Sequence, residues 1–158
     1  MNFEFVIAAI EGFTTQNGGF ILRELTLIFP NEQEQHFQFK NPENMYLNPD
    51  EMKIAKFSQR HLNGFSPTDN ESCCLPAAVY PKILEEIQHC RIYCAGETER
   101  CFFARNLPDT KVIDVYSLID FNYPTQLDNP SCFKLHRYRY CSLAKARYLT
   151  QKLVGFRL

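Results

Sequence analysis

The sequence predicts a single α/β domain spanning residues 1–158, with a mixed five-stranded sheet flanked by helices. Three strands are expected to be antiparallel and two parallel. Three observations predict it. At 158 residues the chain has the length of one domain. Its opening third alternates in strand fashion between short turns. Two later apolar runs are each reached through a helical pattern, as parallel strands require.

Residues 3–13 are dense in apolar side chains (Phe3, Phe5, Val6, Ile7, Ile10) and read as a buried strand. The turn 14–19 follows. In residues 20–29 the alternation puts Phe20, Leu22, Glu24 and Thr26 on one face, and Ile21, Leu25, Leu27 and Phe29 on the other. Pro30-Asn31 turns the chain, and His36-Phe37-Gln38-Phe39 alternates again, completing an antiparallel meander. Asn48-Pro49-Asp50-Glu51 is a helix start: an Asn cap, Pro in the first turn, and acids at the positive dipole end. That helix should run to His61 or Leu62. After a loop over 65–76, a second helix is expected over 77–89, with Val79, Ile83, Leu84 and Ile87 on one side. A strand over 91–96, a short helix over 97–106, a strand over 111–115 and a final helix over 139–154 complete the order.

The composition bounds the function. No apolar run reaches the roughly 18–20 residues of a membrane span, and Met1-Asn2-Phe3-Glu4 does not open like a cleaved signal peptide. A soluble protein of the cytoplasm or nucleus is expected, with no membrane partner. Seven cysteines is an odd count, which favours buried thiols and metal ligation over a disulfide framework. Cys90, Cys94 and Cys101 read as core residues, and Cys73-Cys74 as a pair of thiols in a polar loop. Before Ser131 there are 18 acidic and 10 basic residues; from Ser131 to Leu158 there are seven basic and none acidic. Such a basic segment, carrying Phe133, Tyr138, Tyr140 and Tyr148, suits phosphate contact and base stacking. The alternative is that it neutralises the acidic body within the fold.

The element order, with Ala9-Ile10-Glu11 on the first strand, Ile92 to Leu107 as strand, glycine and short helix, and Val112-Ile113-Asp114-Val115 as the next strand, resembles the DnaQ-like exonuclease branch of the ribonuclease-H-like superfamily. That resemblance implies a site of four carboxylates holding two magnesium ions for phosphodiester cleavage. The chain departs from it. Ala9 stands where the first Asp is expected, the middle Asp falls near Phe102, and Lys145 overlies the last one. No catalytic residue is therefore assigned, and the two-metal site is expected to be incomplete.

Cys132-x3-His136-x4-Cys141, followed by Ser142-Leu143-Ala144, is similar to a stretch of Maelstrom domains, ribonuclease-H-like domains of the piRNA pathway, and of related virus- or transposon-associated proteins. The Maelstrom likeness implies a structural zinc ion on Glu11, Cys132, His136 and Cys141. Thiolate, imidazole and carboxylate are zinc ligands, and four of them close a tetrahedral site. The alternative leaves Cys141 as a core thiol, His136 at the surface and Glu11 without a role.

Three functions follow as expectations. The first is binding of single-stranded RNA, with a place in small-RNA or mobile-element silencing. Lys134, Arg137, Arg139, Lys145, Arg147 and Lys152 are its candidate phosphate contacts. The second is a weak metal-independent ribonuclease, for which His61, His89 and Lys145 are the available acids or bases. The third is a protein-interaction module that keeps the fold without the chemistry.

Overall fold

A computed structural model describes residues 3–70, 74–124 and 141–156. Its sheet has five strands: β1 (Phe5–Thr14), β2 (Phe20–Ile28), β3 (Glu34–Gln38), β4 (Arg91–Cys94) and β5 (Val112–Asp114). Their order across the sheet is β3-β2-β1-β4-β5. The first three are antiparallel, while β4 pairs parallel with β1 and with β5. The mixed sheet is the one the sequence predicts. The helices are α1 (Pro49–His61), α2 (Tyr80–Glu85), α3 (Glu97–Asn106) and α4 (Ser142–Leu153).

Each face of the sheet buries its own core. On one face Val6, Ala8 and Ile10 of β1 and Leu25 and Leu27 of β2 pack against Leu84 of α2 and Phe102 and Phe103 of α3. On the other, Ile7 and Ala9 meet Ala146, Leu149 and Leu153 of α4. Successive β1 residues alternate between the two cores, as a pleated strand with both faces covered must.

The alternation breaks once, on β2. Glu11 pairs with Glu24 but Gly12 pairs with Leu22, leaving Arg23 as the extra residue of a β-bulge. The bulge corrects the expected faces of this strand. Phe20 and Leu22 join Leu25, Leu27 and Phe29 on the α2–α3 side, whereas Glu24, Thr26 and Ile28 face α4. Gly12 is required there, because a Cβ at that position would lie 1.9 Å from the Ile21 carbonyl oxygen. The buried Arg23 guanidinium lies 4.9 Å from the centre of the Phe65 ring and 5.9 Å from that of Phe13. It donates to the carbonyls of Phe39 and Ser66, both at 2.6 Å.

Helix α1 begins as expected. The Asn48 side chain accepts from the Glu51 N–H at 2.8 Å, and the Glu51 carboxylate accepts from the Asn48 N–H at 3.1 Å. The second helix is shorter than expected: residues 77–79 form a 3-10 turn, α2 covers only six residues, and turns follow to Cys90. Pro81 lacks the N–H that would bond the carbonyl of Ala77, so a continuous α-helix cannot begin at Ala77. Strand β4 and helix α3 occupy their predicted places. Cys90 and Cys94 are core thiols as expected, with burial pushing both up, while Cys101 is only partly buried. Cys74 is buried and Cys73 lies outside the described residues.

Candidate functional site

Two polar clusters lie side by side beneath α4. Glu11 and Glu24 are cross-strand partners, so their carboxylates share one face of the sheet. Helix α4 crosses both strands. At its first turn, over β2, the Ser142 N–H donates to Glu24 Oε1, and the Ser142 and Thr26 hydroxyls are 2.7 Å apart. A negative carboxylate at a helix N-terminus is favoured by the dipole. One turn later, over β1, Lys145 Nζ donates to the carbonyl of Ile10 at 2.8 Å.

The first cluster is centred on Lys145. Its ammonium also donates to Glu99 Oε1 at 3.0 Å and pairs with Glu11 Oε1 at 3.2 Å, so its three donors are all engaged. Glu99, on the first turn of α3, is held by the N–H groups of Ala95 (3.3 Å) and Ile10 (3.4 Å). Burial works against the Lys145 ammonium, but Glu11 and Glu99 outweigh it and hold the group charged well above the usual lysine range. Burial raises the Glu11 carboxyl above the ordinary carboxylate range against the opposing pull of Lys145, and the nearby Glu24 and Glu99 raise it further. Lys145 also lies 5.8 Å from the centre of the Tyr123 ring. The Tyr123 hydroxyl is buried with no hydrogen-bond partner among the described residues. Burial, then the charge of Glu99, holds that phenol protonated.

The second cluster joins Glu24 of β2, His36 of β3 and Cys141 at the cap of α4. One ligand atom from each lies within 4.8 Å of the other two. Glu24 Oε2 is 3.1 Å from His36 Nε2 and accepts from Gln38 Nε2 at 2.8 Å. The Glu24 side chain is fully buried and that of His36 is 13% exposed. A carboxylate, an imidazole and a thiol converging from three elements are a donor set that could hold a metal ion.

Among the expected metal ligands, Cys141 is in this second cluster. Cys132 and His136 lie outside the described residues. Glu11 is not in it: the carboxylate facing Cys141 belongs to its partner Glu24, because α4 starts over β2 and reaches β1 only at Lys145. Lys134, Arg137 and Arg139 also lie outside the described residues. Lys145 is corrected as a phosphate contact, since its side chain is only 11% exposed and is spent on Glu11, Glu99 and Ile10. Arg147 makes a two-pronged pair with Glu34 at 2.7 and 2.8 Å, and Lys152 is exposed beside the Tyr148 ring. His61 ends α1 against Phe57, and His89 sits in the turn before β4. Neither is joined to Lys145 by a hydrogen bond or ion pair among the described residues.

Ala9 is buried under α4 and offers no donor. Phe102 faces the opposite core, its ring edge-on to Phe20 and tilted against Tyr80. The expectation of an empty middle position is corrected: Glu99, three residues earlier on α3, brings a carboxylate to the cluster. Sequence reasoning missed Glu99, Glu24 and His36. The one local signal was Glu97 and Glu99 in the first turn after Gly96, which a helix dipole explains equally well.

No helix among the described residues is long and apolar enough to cross a membrane. The sequence matches no known family and no curated protein. Among solved structures the chain is similar to exonuclease I. An apo form aligns over 75% of this chain at TM-score 0.51 and 13% identity. The E. coli enzyme in complex with a dT13 oligonucleotide aligns over 97% at TM-score 0.56 and 14% identity. The chain spans 30% and 41% of the lengths of those two proteins. At such identity the likeness establishes the fold alone: a mixed α/β sheet flanked by helices like that of exonuclease I.

Proposed function

We propose that this chain is a single-stranded nucleic-acid-binding domain on an exonuclease fold, without two-metal hydrolysis, fastened by a zinc ion beneath its last helix. The observation that carries the first part is the position of Lys145. Two divalent cations need several carboxylates and open coordination positions. Among the described residues, Glu11 and Glu99 are the carboxylates that converge on this point, and a buried ammonium already lies within 3.2 Å of both. These residues do not fit a pair of magnesium ions. The nucleic-acid reading draws on the fold, on the oligonucleotide bound in the E. coli exonuclease I structure, and on the basic stretch from Ser131 to Leu158.

Glu24, His36 and Cys141 supply donors suited to zinc, and Cys132 or His136 would complete four-fold coordination. Such a site would be structural, tying the start of α4 to β2 and β3. RNA is our preferred strand, acting in small-RNA or mobile-element silencing, since the Cys-His-Cys run resembles Maelstrom domains.

Metal analysis and binding titrations test these parts separately. Purified chain should carry about one zinc per molecule, lost in Glu24→Gln and Cys141→Ala; metal-free protein, or zinc indifferent to both changes, removes the clasp. Labelled oligouridylate should bind at low salt and weaken steeply as salt rises. No binding at low salt rejects the nucleic-acid reading.

A further inference from the structure

Helix α1 turns Ala55 and Ser58 inward, with Ala55 in a small core beside Phe13 and Phe65. Its other side is open. Lys53, Ile54, Lys56, Phe57, Arg60 and His61 are all exposed, with Phe57 at 59% and Ile54 at 48%. At 100° per residue, Lys53, Phe57 and Arg60 form the middle of the open arc, with Lys56 and His61 on its two flanks. The Phe57 and His61 rings are 4.7 Å apart. None of the three cations is ion-paired among the described residues. Of the acids at the helix start, Glu51 is spent on the cap and on the Gln16 N–H, leaving Asp50 exposed at the far end.

Large exposed apolar side chains in a cluster mark interaction surfaces rather than ordinary solvated faces. This one sets an aromatic pair between cations, on a body where acids outnumber bases by 18 to 10 before Ser131. Its helix packs on the strand that carries Glu11. Phe13, which shares a core with Ala55, is two residues beyond Glu11 on the same face of β1, at that strand's carboxyl end. Ligands of open α/β sheets bind outside the carboxyl ends of the strands.

We infer that the outer face of α1 is a binding surface for single-stranded nucleic acid, with Lys53, Lys56 and Arg60 on phosphates and Phe57, backed by His61, under a base. The inference rests on the nucleic-acid reading above and locates the strand on a helix outside the basic terminal segment. Several exposed cations beside an open aromatic face are what sequence-tolerant single-strand recognition uses. An acidic protein segment would use the cations but gain little from the exposed aromatic ring.

The test is fluorescence anisotropy on the full chain with labelled oligouridylate and oligothymidylate at two salt concentrations. Lys53→Glu/Arg60→Glu should weaken both by about tenfold or more and lower the salt slope by about 2. Phe57→Ala should weaken binding about fivefold or more while leaving the salt slope in place. The control Lys82→Glu/Lys111→Glu reverses two exposed cations elsewhere and should change little. All positions are exposed, and circular dichroism checks the fold of each variant. If wild type binds and the α1 variants bind equally well, the α1 surface is rejected while the nucleic-acid reading stands. If wild type binds neither oligonucleotide, that reading falls and this inference with it. If polyglutamate displaces the oligonucleotide at comparable concentration and Phe57→Ala has no effect, the face is an acidic-protein dock and the inference is overturned.

Discussion

Lys145 is the residue on which the rest turns. A buried ammonium flanked by two carboxylates is weak evidence of stability for its own sake, but removing one partner leaves uncompensated charge. Lys145→Met should therefore lower stability by about 3–5 kcal/mol in urea unfolding, because it strands Glu11 and Glu99 without a cation. A loss under about 1 kcal/mol would mean the cluster is hydrated and open. Glu11 adds a pH signature. Its carboxyl binds a proton more tightly folded than unfolded, so its contribution to stability is present at low pH. It is lost as pH rises through and above the ordinary carboxylate range. Glutamine at this position cannot ionise. Wild type should accordingly lose stability relative to Glu11→Gln as pH rises from about 4 to 7. A difference that stays flat, or runs the other way, would show that Glu11 ionises without cost.

At the level of elements, the β2 bulge and the crossing of α4 decide what meets what. Gly12→Ala forces a Cβ against the Ile21 carbonyl, and should cost more than about 3 kcal/mol or shift the bulge, read by chemical denaturation. Unchanged stability would show that the bulge can move. Much of this architecture was legible in the sequence, because its signals are local. The Asn48–Glu51 cap, the start of α3 after Gly96 and the dense apolar run of β1 each depend on neighbouring residues alone. The bulge was not, since a period-2 count assumes an unbroken strand and so put Leu22 on the wrong face. The second helix was over-read because apolar spacing outvoted Pro81. The site was the least legible part. Glu24, His36 and Cys141 are brought together by strand register and by the angle of α4, and no spacing rule encodes either. Glu11 was expected as the metal carboxylate from its likeness to the Maelstrom glutamate, whereas the carboxylate beside Cys141 is that of its cross-strand partner Glu24.

For the whole molecule, the fold places two ionic clusters under a single helix, α4. One cluster is closed by its own lysine; the other offers a metal donor set. On the proposed reading, that division makes α4 a fastening over β1 and β2 rather than a carrier of magnesium ligands. If zinc does the fastening, chelation should lower the unfolding temperature of wild type by several degrees while leaving Cys141→Ala unchanged. Equal effects on both proteins would argue for a general influence of the chelator.

The central claim is that the fold has been kept without two-metal hydrolysis, and the most direct measurement is one incubation. The 158-residue chain is mixed with end-labelled single-stranded RNA and DNA in magnesium or manganese, and both binding and strand length are read from the same samples. The account predicts strands that are bound and remain intact at every metal concentration. Progressive shortening that requires the divalent ion and disappears in Glu11→Gln or Glu99→Gln would contradict it.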